Sequence, residues 1–128
     1  MTMYNAIADA VLSKITPNPK FEYIMPVGTA IQNARSSYLG DPDLNRDYSH
    51  LSDLGRTIAA YTWYCILTNT TLDDVSIDFV PGTLRYASAD KHTDLVLTDE
   101  LKAIIIESVN NALTTSYSMT QSNYTAKP

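Results

Sequence analysis

The sequence predicts a helix-rich α/β domain, and three observations carry that prediction. Apolar residues recur at spacings of three and four over residues 2–15, 54–66 and 101–112, the period of a helix that buries one stripe. Between these segments lie short runs dense in aromatic and branched residues, Phe21 to Val27 above all, with the length and composition of buried strands. The chain has 128 residues, enough for one modest core. One domain over residues 1–115, followed by a flexible polar tail over 116–128 that has little to bury, is the expected organisation.

Taken in order, Met3, Ile7, Ala8, Val11, Leu12 and Ile15 form the stripe of a first helix over residues 2–15. Thr16-Pro17-Asn18-Pro19 ends it, because two prolines remove backbone donors and push their predecessors toward extended geometry. Phe21-Glu22-Tyr23-Ile24-Met25-Pro26-Val27 then reads as a strand, stopped by Gly28, and Ala30 to Tyr38 as a short helix. Leu39 to His50 is turn chemistry without apolar periodicity, the mark of a surface loop. Ser52 caps the next helix, whose Leu54, Ile58, Tyr61, Thr62, Cys65 and Ile66 share a face until Asn69. Residues 75–79 alternate like a half-exposed strand, and residues 84–87 suggest another beyond Pro81-Gly82. Thr98, with Asp99 and Glu100 against the helix dipole, opens a last helix that buries Leu101, Ile104, Ile105, Ser108, Val109 and Ala112.

Composition narrows the function. Nine Lys and Arg against 14 Asp and Glu give a net charge of −5, and the cations are scattered, so the electrostatics of a nucleic-acid protein are missing. No run of ~20 apolar residues could span a bilayer, and no secretory leader pattern opens the chain. A single cysteine, Cys65, can form neither an internal disulfide nor a multi-cysteine metal site, and is expected in the core. No cofactor motif is present. His92, within Asp90-Lys91-His92-Thr93-Asp94, has only His50 as a companion imidazole and reads as a solvated loop residue rather than a metal ligand.

Asp47 and His50 are the one acid and imidazole spaced as a catalytic pair, in a loop leading into a helix. In a serine hydrolase the imidazole takes the nucleophile's proton while a carboxylate fixes its tautomer. As a bare pattern this is weak, since a lone loop histidine is more often an ordinary solvated residue. The surrounding segments are more specific. Val27-Gly28-Thr29-Ala30-Ile31-Gln32-Asn33-Ala34-Arg35, Leu44-Asn45-Arg46-Asp47-Tyr48-Ser49-His50-Leu51-Ser52 and Gly55-Arg56-Thr57-Ile58-Ala59-Ala60-Tyr61-Thr62-Trp63-Tyr64 together resemble a bacterial branch of the SGNH/GDSL serine hydrolase superfamily. The likeness covers residues 2–69 and extends more loosely to the helix around 97–113. It implies a three-layer α/β/α, flavodoxin-like fold of which this chain is the C-terminal portion, with Asp47 as orienting acid and His50 as general base.

The departures are as informative. The family's nucleophilic serine lies in a Gly-Asp-Ser block after the first strand, and its oxyanion-hole Gly and Asn lie in two further blocks. None of these is present in this chain. Tyr48 stands where Gly is expected in this branch. Ser36, Ser37, Ser49 and Ser52 are near in sequence, but none sits on a strand-to-helix nucleophile turn. Arg35 and Arg56 are candidates to bind an anionic substrate group, Arg56 the better placed; pairing with Asp41, Asp43 or Asp53 is the alternative. Tyr61, Trp63 and Tyr64 could stack on a sugar, but consecutive helical positions point different ways.

Two functions follow as expectations. In the first the chain carries the acid-base half of an ester or carbohydrate-ester hydrolase, inactive alone and completed by a Ser-bearing upstream half or a homo-oligomer. In the second it is a non-catalytic interaction or structural domain in which the Asp-x-x-His segment is a relic.

Overall fold

The computed structural model describes residues 2–78 and 95–128, and every statement of structure below concerns those residues. Helix α1 (Thr2–Ala10) runs on into a π-helical turn, Val11–Ile15, closed by the Thr16 N–H donating to the Val11 carbonyl at 2.9 Å. After the two prolines the chain follows an irregular path to α2 (Val27–Arg35), then α3 (Asp41–Leu44), α4 (Asp53–Thr68) and α5 (Asp99–Thr114). The architecture is helical, and among the described residues there is no strand, only one isolated bridge between Asn45 and Leu51.

Helices α2, α4 and α5 pack on one another around the core, with α3 against α2 and α4. Ile58, Ile104, Ile105, Val109 and Ala112 are wholly buried there, on the stripes that the periods at 54–66 and 101–112 marked out, and Ala30 joins them from α2. Of the stripe expected over residues 2–15 only Ala8 is buried, while Met3, Ile7 and Leu12 are exposed. The ends are capped by the residues suited to it. Ser52 accepts from Gly55 N–H at 3.1 Å, Thr98 accepts from Leu101 N–H at 3.2 Å, and Asn69 closes α4 in the left-handed region at φ 52°. Cys65 lies in this core, and burial pushes its thiol pKa up.

Three expectations are corrected. Residues 21–26 form no strand, and Val27 begins α2 instead of ending one, so the helix runs Val27–Arg35 rather than 30–38. A strand exists only by pairing, and no described segment lies alongside to complete the ladder. Residues 75–78 likewise stay irregular, because Leu72 and Ile77 reach the core singly while Asn110 on α5 accepts from Leu72 N–H at 2.9 Å. The expected strand at 84–87, the end of 75–79 and His92 lie outside the described residues.

The segment after α5 is held by polar contacts rather than by apolar burial. Buried Asn33 donates to the Ser108 carbonyl at 3.1 Å and accepts from Thr120 N–H at 2.7 Å. Ser122 donates to Glu107 at 2.5 Å, and Tyr38 N–H donates to the Tyr124 carbonyl at 2.7 Å. Backbone groups of residues 116–124 thus find partners on α2 and α5.

Candidate functional site

The candidate site is the loop between α3 and α4, and its base is closed by backbone hydrogen bonds. Ser52 N–H donates to the Leu44 carbonyl at 2.8 Å and Arg46 N–H to the His50 carbonyl at 3.1 Å, flanking the Asn45–Leu51 bridge. The Ser52 hydroxyl adds a bond to the Asp43 carbonyl at 2.6 Å while it caps α4. At the other end, Arg35 at the close of α2 pairs with Asp41 at the start of α3 at 2.5 Å. Gly55 sits so close beneath the loop that a Cβ built on it would lie 2.4 Å from the Leu44 carbonyl oxygen.

Within that frame Asp47 and His50 meet. Oδ1 of Asp47 accepts from the N–H groups of Ser49 and His50, each at 2.9 Å, an Asx turn that fixes the carboxylate. Both carboxylate oxygens then lie against His50 Nδ1, at 2.8 and 2.9 Å. These contacts, the Ser49 N–H first and the imidazole second, lower the Asp47 pKa from 3.8 to about 2. A carboxylate only accepts, so Nδ1 carries the proton and the lone pair of the neutral ring is on Nε2. Among the described residues nothing bonds Nε2, which is the atom a general base uses. The side chains of His50 and Asp47 remain 58% and 40% exposed, so the pair is open to water.

None of the four serines offers a hydroxyl to Nε2. Ser49 Oγ is 3.4 Å from Nδ1, the nitrogen Asp47 already holds. Ser36 and Ser37 bond carbonyls at the end of α2, and Ser52 is spent as the cap. Arg56 pairs with Asp53 in the first turn of α4, both largely buried, so the pairing alternative describes its guanidinium. Tyr61 is buried while Trp63 and Tyr64 are exposed, so the three rings form no common platform. Among the described residues no group of three His, Cys, Asp or Glu could hold a metal ion, and no helix is long and apolar enough to cross a membrane.

Sequence reasoning gave no part to Arg46 or Gly55. Arg46 Nε lies 3.7 Å from Asp47, and Asp41, Asn45, Arg46, Asp47 and Tyr48 line an open groove of about 560 Å³ beside the pair. The signal that could have pointed to Gly55 is its place in the first turn of a helix, where glycine costs ~1 kcal/mol relative to alanine and so implies a close packing contact. No curated protein and no solved structure matches the chain. One family does, the Domain of unknown function (DUF4886), over residues 1–83, which include α1 to α4 and the Asp47–His50 loop. With that match across more than half its length, the chain belongs to the DUF4886 family.

Proposed function

We propose that this chain supplies the orienting acid, Asp47, and the general base, His50, of an SGNH/GDSL-type hydrolase acting on small esters or carbohydrate esters. In that reading the chain is the C-terminal portion of a three-layer α/β/α fold whose sheet and nucleophile are contributed from elsewhere. The observation that carries it is the fixed carboxylate held on His50 Nδ1 with Nε2 left open. In the reaction the nucleophile's hydroxyl would give its proton to Nε2 as its oxygen attacks the ester carbonyl. His50 would then return that proton to the leaving alkoxide while Asp47 stabilises the imidazolium. Without the nucleophile and oxyanion donors the pair alone does little, since either loss removes most of the rate.

The test is hydrolysis of a chromogenic acetyl ester by the chain alone and mixed with a Gly-Asp-Ser-bearing half, with a serine-directed phosphonate as probe. Turnover in the mixture that His50→Ala abolishes supports the proposal. A mixture that forms a complex yet neither turns over nor labels overturns it, and favours the non-catalytic interaction domain.

A further inference from the structure

We propose that residues 21–26 are a docking edge for a β-strand of the polypeptide that brings the nucleophile. The inference rests on the functional reading above and names how that partner attaches. Phe21-Glu22-Tyr23-Ile24-Met25 has strand composition and no strand partner. Among the described residues the N–H groups of Glu22, Tyr23, Ile24 and Met25 donate to nothing, whereas those of Phe21 and Val27 on either side each reach a carbonyl. Such a row of open donors, in which the Met25 carbonyl is taken by Val27 N–H at 2.8 Å, is complementary to one kind of ligand, the main chain of an added strand.

The surface around it fits the same occupant. A groove of about 120 Å³ brings Ile7 and Val11 of the first helical segment beside Ile24 and Met25. Met3, Ile7, Leu12, Phe21 and Tyr23 each leave roughly half or more of their surface in water. At ~200 Å² for a large residue, they offer on the order of 600 Å², close to the ~800 Å² per partner of a stable interface. Helices with an uncovered apolar side next to an unpaired strand sequence are what remains when a sheet layer is missing. A second copy of this chain is the weaker occupant. It would make only a two-stranded ribbon, which is marginal in water, and would bring no hydroxyl to His50. A strand already belonging to a sheet provides both the ladder and the surface that α1 lacks.

The test mixes the full chain with a separately expressed Gly-Asp-Ser-bearing half, and follows amide exchange residue by residue together with ester hydrolysis. Pairing on one edge protects alternate amides, so two of the four N–H groups at 22–25 should slow on the order of 100-fold in the complex. Of Tyr23→Pro and Ile24→Pro, the variant at the protected position should lose at least ten-fold in affinity, with Tyr23→Ala as the control for the lost ring. A complex that hydrolyses ester through His50 while these amides exchange as before overturns the edge and leaves the functional reading standing. Protection without hydrolysis keeps the edge and sinks the functional reading. Protection of the chain alone, with a dimer's mass, would assign the edge to a second copy, and absence of any complex would also overturn the proposal.

Discussion

Replacing Gly55 by alanine tests whether the Asp47–His50 loop is set by the packing beneath it. The added Cβ would lie 2.4 Å from the Leu44 carbonyl oxygen and 3.1 Å from Leu51 Cβ, where real Cβ contacts essentially never fall below 3.0 Å. The first obstacle is backbone, so it cannot swing aside. It must move by several tenths of an ångström, and that oxygen is the acceptor for Ser52 N–H at the mouth of the loop. Strain from the extra methyl is worth about 1–3 kcal/mol, and a weakened hydrogen bond adds ~1 kcal/mol. Against this, alanine is favoured over glycine in a helix by ~1 kcal/mol. The net expectation for Gly55→Ala is a loss of about 1–3 kcal/mol, read from urea unfolding as a lower midpoint at unchanged slope. Gly28 provides the control, because a Cβ there meets nothing within 4 Å and it lies in the first turn of α2. Gly28→Ala should be neutral or stabilising by up to ~1 kcal/mol. In Gly55→Ala the NMR resonances of residues 44–52 should shift and the His50 ring should lose its contact with Asp47. Equal stability of the two variants, with an unshifted loop, would refute the packing argument.

Asn33→Ala removes a buried amide that bridges Ser108 and Thr120, orphaning the Thr120 N–H. A loss of about 2–3 kcal/mol in urea unfolding is expected, with faster exchange of the Thr120 amide; a loss under ~0.5 kcal/mol would count against this anchor. The Asp47 carboxyl should titrate at about 2 when its ¹³C shift is followed against pH. Since its folded value lies below the ordinary 3.8, its contribution to stability is complete above that value and fades as pH falls through about 2; His50→Ala should move the midpoint upward. The Cys65 thiol, buried and raised in pKa, should react with a disulfide reagent no faster than the chain unfolds, and prompt labelling of the native chain would contradict its place in the core.

Helices α4 and α5 were legible in the sequence because their determinants are local, whereas the bounds of α2 and the single turn of α3 were not. Ser52, Asn69 and Thr98 mark ends within a turn of where they fall, and the stripes at 54–65 and 101–112 name the core residues they bury. Strands were not, because a strand is a relation between two segments. Phe21 to Met25 has the composition of one and nothing described beside it, so the same residues run irregularly. The contacts of the segment after α5 were hidden for a related reason. Its partners, Asn33, Ser36 and Glu107, lie far away in sequence, and polar residues that bond one another leave no apolar period to detect. At the site, the Asp-x-x-His spacing was readable because three residues of turn suffice to bring a carboxylate onto its own imidazole. What holds the turn, the Gly55 contact and the bonds from Arg46 and Ser52, depends on the packing of α4 against α3.

That separation bears on how a half-site of this kind could work. The Asp47–His50 contact is made within four residues of one loop, whose base is closed by bonds from the same stretch of chain, so the pair needs no partner to take its geometry. A preformed pair avoids the ordering penalty at the moment of assembly. Its weakness is exposure: with both side chains open to water, the carboxylate's hold on the imidazole is screened and an attacking water competes with any nucleophile. A partner that docked along residues 21–26 would therefore have to cover the loop between α3 and α4 as well as carry a hydroxyl to Nε2. Tyr48, fully exposed next to Asp47, and the groove lined by Asn45 and Arg46 are the surface such a cover would meet. Mutual burial there would strengthen the Asp47–imidazolium attraction as water leaves, so assembly and activation of the base would be one event.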